Sequence, residues 1–75
     1  MRELLEFIAK SMVDHPESVE ITLEEKDSAT VLKLHVADGD MGKVIGKQGR
    51  IVKAIRTVMK AAASNENKKV IVDIV

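Results

Sequence analysis

Residues 44–56 read VIGKQGRIVKAIR. Two of the chain's four glycines, Gly46 and Gly49, stand three apart with Lys47 and Gln48 between them. Apolar residues at helical spacing lead up to the pair and resume after it, so the stretch reads as two helices with an interruption. Gly46 falls where a short helix of about one and a half turns would end. Glycine there can take the left-handed conformation that closes a helix without steric cost. Gly49 falls just before the next helix, where a missing side chain lets another backbone approach closely. The interruption also sits at the positive end of that helix, whose first amides lack internal partners and suit an anion. Lys47 and Arg50 add full charges beside them. The glycines alone serve a plain corner between two helices equally well.

Upstream, residues 3–14 carry Leu4, Leu5, Ile8, Met12 and Val13 at helical spacing, with Phe7 beside them in the expected core. Asp14, His15 and Pro16 stop that helix, because the residue before a proline disfavours the helical region. From Val19 the period becomes two: Val19, Ile21 and Leu23 alternate with Glu20, Thr22 and Glu24, a half-buried strand. The run EKDSA turns the chain. Residues 30–37 alternate again, with Leu32, Leu34 and Val36 on one side and Val31, Lys33 and His35 on the other. Strands joined by so short a loop form an antiparallel hairpin. Asp38-Gly39-Asp40 ends the second strand, and Asp40 is a good N-cap for a short helix over 41–45.

Downstream, a longer helix is expected over 50–63. Ile51, Ile55, Val58 and Ala62 form its core stripe, and Lys53, Arg56 and Lys60 fall on the opposite side. Asn65-Glu66-Asn67 ends it, and the β-branched run 70–75 reads as a closing strand. The order is helix, strand, strand, helix, helix, strand. A crossover of two helices places the last strand parallel to the second, with right-handed sense. The expected fold is α+β: a three-stranded mixed sheet in order one, two, three, with three helices packed on one face.

Seventy-five residues make one small domain, with limited buried surface to stabilise it. There is no cysteine, so neither disulfides nor thiolate metal sites are available, as suits a reducing compartment. No apolar run approaches the 18 or so residues of a membrane span, and MRELLEFIAK is not a signal peptide. A soluble cytoplasmic protein without a membrane partner is expected. The formal net charge of zero conceals a segregation. Residues 1–40 hold ten acids and four bases, residues 41–75 two acids and eight bases, and 41–65 six bases and no acid. An anionic partner for the second half accounts for this asymmetry, and so does a solvated helix face.

These features together resemble the KH family. VIGKQGRIVKAIR matches its pattern of an Ile-Gly pair, two polar or basic residues, a Gly and a helix rich in Ile and Lys or Arg. The element order is similar to the bacterial type II fold over essentially the whole chain, as in the small stand-alone members. In such modules a GXXG loop clamps four backbone nucleotides of RNA. The resemblance implies that Gly46, Lys47, Gln48 and Gly49 form the clamp, with Lys47 and Gln48 projecting at phosphates and sugars. Val44 and Ile45, with Ile51 and Ile55, would form an apolar floor for bases, and the last strand around residues 70–72 the opposite wall. Lys43, Arg50 and Lys53 would extend the positive field. The resemblance also implies dimers, with itself or with a larger KH partner of the Jag type. It implies a post-transcriptional or RNA-chaperone role linked to cell-wall growth and cell length.

Phe7 is the only aromatic residue, which argues against modules that stack bases on aromatic side chains. His15 reads as a solvated helix-end residue and His35 as a residue of the outer strand face, neither with a partner at ligand spacing. Neither the Walker pattern nor the dinucleotide glycine pattern is met. No metal, cofactor or catalytic group is implied. Two readings stay open: a binder of single-stranded RNA, with DNA an open alternative, or a protein-interaction module of the same shape. For the second, Ile51, Val52, Ile55, Val58, Met59 and Ala62 span a wide apolar arc, with Ile55, Val58 and Met59 as the candidate dimer contact.

Overall fold

Alternation of apolar and polar residues sets the sheet, and helical periodicity lays the helices over one of its faces. The computed structural model describes residues 2–65 and 68–75. Helix α1 (Arg2–Met12) leads through a short 3₁₀ turn, Pro16–Ser18, into strand β1 (Glu20–Lys26). Strand β2 (Ala29–His35) follows, then a 3₁₀ turn (Asp38–Asp40), helix α2 (Met41–Ile45), the loop turn Lys47–Gly49, helix α3 (Arg50–Asn65) and strand β3 (Lys69–Ile74). Glu66 and Asn67, part of the expected stop of α3, lie outside the described residues.

The sheet order is β1-β2-β3. β1 and β2 are antiparallel with Leu23 opposite Leu32, and β2 and β3 are parallel with Leu32 opposite Val72. Period two therefore puts Ile21, Leu32, Leu34 and Val72 on one face. That face meets Leu5 and Ala9 of α1, Val44 of α2, and Ile55 and Met59 of α3 in one core. The expected α+β architecture, with a mixed three-stranded sheet and three helices, is the one observed.

Three details differ from the sequence reading. Phe7 is 70% exposed, because Leu5 and Ala9 turn the opposite side of α1 inward. On α3 the buried stripe is Val52, Ile55, Met59 and Ala63, not Ile51, Ile55, Val58 and Ala62. The apolar residues there come in neighbouring pairs, and the sheet selects the second of each pair at three of the four positions. The hairpin turn is also tighter than EKDSA suggests, since Lys26 pairs with Ala29 and leaves only Asp27 and Ser28 as the link.

Candidate nucleic-acid interface

Three of the four loop residues have positive φ. Gly46 lies at φ 76°, ψ 173°, Gln48 at φ 58°, ψ 25°, and Gly49 at φ 74°. The Gly46 conformation belongs to a region essentially restricted to glycine. A Cβ on Gly46 would also lie 2.5 Å from Ile51 Cγ1. The first turn of α3 thus packs its Ile51 side chain directly on the loop backbone. At Gly49 an added Cβ would meet only Val52 Cγ1, at 3.8 Å. Gly46 thus closes α2 at positive φ, as expected, and is needed for close approach as well, whereas Gly49 is needed for its backbone conformation and not for room.

The loop uses some of its amides internally. Gly46 N–H donates to Gly42 O, Gly49 N–H to Gly46 O and Arg50 N–H to Lys47 O. The positive end of α3 is therefore less open to an anion than the sequence suggests. Among the described hydrogen bonds none uses the amide of Lys47 or Gln48. Both side chains are exposed, as are those of Arg50 and Lys53.

The expected apolar floor is only half present. Ile45 is half-buried and Ile51 is 37% exposed, so both remain at the surface beside the loop. Val44 and Ile55 are 0% and 4% exposed and belong to the core. Met59, fully buried, is core as well, which removes Ile55 and Met59 from the candidate dimer contact and leaves Val58, 48% exposed. Lys43 is held by Asp14 at 2.9 Å. That hydrogen bond and charge raise its pKa, and the pairing diverts it from the field around the loop.

Helix α2 is tied down from an unexpected direction. Asp40 is 1% exposed and makes no side-chain cap to α2. Its carboxylate instead accepts the N–H of Asp14 at 3.2 Å and of His15 at 3.0 Å, with His15 Nδ1 at 3.3 Å. Burial pushes the Asp40 carboxyl up, but these backbone donors and His15 outweigh it and leave its pKa below the ordinary value. His15 is therefore a partner of Asp40 as well as a helix-end residue. His35 lies on the outer sheet face, its Nδ1 3.2 Å from Val75 O. Among the described residues no cluster of His, Cys, Asp or Glu could hold a metal ion. No described helix is long and apolar enough to cross a membrane.

A groove of about 740 Å³ runs between α3 and β3. Arg56, Lys60 and Ser64 line one side, and Lys68, Lys69 and residues 70–72 the other. The expected groove had residues 70–72 as a wall and Val44, Ile45, Ile51 and Ile55 as a floor; this one has that wall and none of that floor, and its basic lining of Arg56, Lys60, Lys68 and Lys69 was not expected. The signal was available in Arg56 and Lys60, four apart on one helix, but not the wall they face. From Arg50 to Ser64 helix α3 rises about 21 Å, so the loop and the groove are the two ends of one path.

Ion pairing separates this path from the lysines that precede it in the chain. Lys10, Lys26, Lys33 and Lys43 are each paired with a Glu or Asp. No acid among the described residues pairs with Lys47, Arg50, Lys53, Arg56 or Lys60.

Comparison with known proteins places this geometry. The family described as KhpA/KhpB, KH domain, matches residues 2–74. The RNA-binding protein KhpA of Clostridium perfringens is 60% identical over the full length of both chains. The protein of that name from Listeria monocytogenes is 53% identical over 100% of this chain and 99% of its own. An Era variant from Aquifex aeolicus, solved by crystallography, superposes with a TM-score of 0.66 at 19% identity. That likeness covers 97% of this chain and 28% of the Era chain, and it speaks to the fold alone. The chain belongs to the KhpA/KhpB family of KH domains.

Proposed function

We propose that this chain is a non-catalytic, cytoplasmic binder of single-stranded RNA that clamps the RNA backbone on the loop 46–49. Lys47 and Gln48 meet phosphate and sugar, Arg50 and Lys53 extend the field, and Ile45 and Ile51 offer an apolar surface to bases. The observation that carries the reading is the unpaired row of cations from Lys47 to Lys60, in a molecule whose lysines up to Lys43 are paired with acids. Relatives that carry the name RNA-binding protein KhpA support it.

The family resemblance extends the proposal to an RNA-chaperone or post-transcriptional role in cell-wall growth and cell length. It also extends it to dimers, with a second copy or a larger Jag-type KH protein. Val58 is the residue of the earlier dimer set that remains at the surface, and the exposed Ile51 shares its side of α3.

The test is fluorescence anisotropy of a short labelled single-stranded RNA at several salt concentrations. Phosphate contacts release counterions, so for three or four contacts log K should fall against log salt with a slope of about −2 to −3. A flat slope would exclude a backbone clamp. Absence of binding would favour the protein-interaction reading, with the Ile51 and Val58 side of α3 as its surface.

A further inference from the structure

The two edges of the sheet are guarded differently. Val75 N–H bonds Leu34 O, and successive residues of a strand direct their backbone groups to opposite sides. Even-numbered residues of β2 therefore face β3, and odd-numbered ones face β1. The partners of those odd residues, Glu20, Thr22, Glu24 and Lys26, use their backbone groups on β2. The backbone groups of Ile21, Leu23 and Glu25 are left facing the open edge of β1. On β3 the same alternation turns Val72 outward, and there Arg56 Nε donates to Val72 O at 3.0 Å. Strand β1 has no such cover. Among the described hydrogen bonds outside the ladder, none reaches the backbone of Ile21, Leu23 or Glu25. Its seven residues contain no proline, and its register with β2 runs without a bulge from Glu20 to Lys26, so two common protections of an edge are missing.

The side chains of this edge select its occupant. Leu23 stands opposite Leu32 on the helical face of the sheet, yet it is 47% exposed. Beside it lies a hollow of about 380 Å³ lined by Arg2, Glu25, Thr30, Lys68 and Val70 among others. The cations Arg2 and Lys68 in that lining favour an apolar guest over a basic one. The opposite face of β1 carries Glu20 and Glu24. Glu24 holds Lys33 and Lys26, whereas Glu20 has no ion pair among the described residues. The strand as a whole has three acids and one base. We infer that β1 accepts an added strand from a protein partner, an extended segment in which lysine or arginine alternates with apolar residues. Its backbone pairs with Ile21, Leu23 and Glu25, its apolar side chains cover Leu23 and enter the hollow, and its cations stand beside Glu20 and Glu24. A second copy of this chain fits less well, because its own β1 would set acid against acid and its β3 edge is held by Arg56. The same acids repel RNA. Strands β1 and β3 are opposite edges of the sheet, so the added strand leaves the α3–β3 groove free, and the inference does not depend on the RNA-binding reading.

The probe is a labelled peptide of alternating lysine and valine, matched in length to β1 and titrated by fluorescence anisotropy, with amide hydrogen exchange of the protein followed by NMR. With the peptide at about ten times its measured Kd, exchange at Ile21, Leu23 and Glu25 should slow roughly tenfold, and the outward amide of Val72 should be unchanged. Glu20→Lys/Thr22→Lys, at two exposed positions, should weaken peptide binding roughly tenfold. Binding without slower exchange at the three amides would show attraction by charge alone and overturn the inference, as would protection of Val72 in their place. Equal affinity for the double variant would overturn the choice of a basic partner. Absence of binding would overturn the added strand itself. Protection of the three amides without peptide, growing with protein concentration, would assign the edge to a second copy and overturn the inference too. The exchange measurement uses the wild type, so it stands even if the double variant does not fold.

Discussion

Two turns of this molecule each hold a non-glycine residue in the left-handed region: Asp27 at φ 51° in the hairpin and Gln48 at φ 58° in the loop before α3. At Asp27 the strain has a purely geometric cause. Two residues must link paired strands, and aspartate tolerates this conformation better than most side chains. At Gln48 the chain has Gly49 directly after it and Gly46 two residues before, and glutamine has no such tolerance. The strain there keeps two exposed polar side chains, Lys47 and Gln48, on a sharply turned backbone. The hairpin turn is secured by strand pairing on both sides. The loop follows a five-residue helix that depends on the buried Asp40 upstream and on Ile51 downstream. The first turn organises the fold, and the second is held in place by it.

Substitutions can break this contrast. The largest effect is expected at Gly46, where alanine combines forbidden backbone geometry with a collision at Ile51. Gly46→Ala should cost about 2–4 kcal/mol in denaturant unfolding. Gly49→Ala, with room for its Cβ, should cost only about 1–2 kcal/mol. Equal costs would mean that Ile51 does not pack on the loop as described.

Much of this was legible in the sequence, and the failures have physical causes. The switch from helical to alternating period fixed the element order, and the glycine pair fixed the loop. Periodicity gives a helix but not its phase when apolar residues are adjacent, as Ile51 with Val52 and Val58 with Met59 are. The inward side of α3 and the loss of Ile55 and Met59 as contact residues therefore needed the sheet. Asp40 looked like a local cap because caps are read locally, whereas its partners lie 25 and 26 residues away. The hydrogen bond from Arg56 Nε to Val72 O, 3.0 Å long and 16 residues apart in sequence, is likewise non-local.

Asp40 gives the next prediction. Its folded pKa is depressed, so the stability it contributes is present above the ordinary carboxylate value of about 3.9 and is lost as pH falls through the lowered folded value. Asp40→Asn should lower the thermal midpoint by several degrees at neutral pH and narrow its gap to wild type in acid. A gap that is constant with pH would show that the carboxylate charge does not hold α2.

The smallest effects sharpen the comparison of the turns. Gln48→Gly should stabilise the protein by up to about 1 kcal/mol by removing left-handed strain. Asp27→Gly should stabilise it less, because aspartate already tolerates the conformation. Only the first should change RNA affinity, by removing a side chain from the clamp.

The most direct measurement is anisotropy of a short single-stranded RNA with wild type and with Lys47→Asp/Gln48→Asp, with thermal unfolding of both proteins alongside. Both side chains are exposed, so the account predicts a folded double variant that has lost salt-sensitive binding. A folded variant that binds as wild type does would contradict the clamp, and so would one that no longer folds.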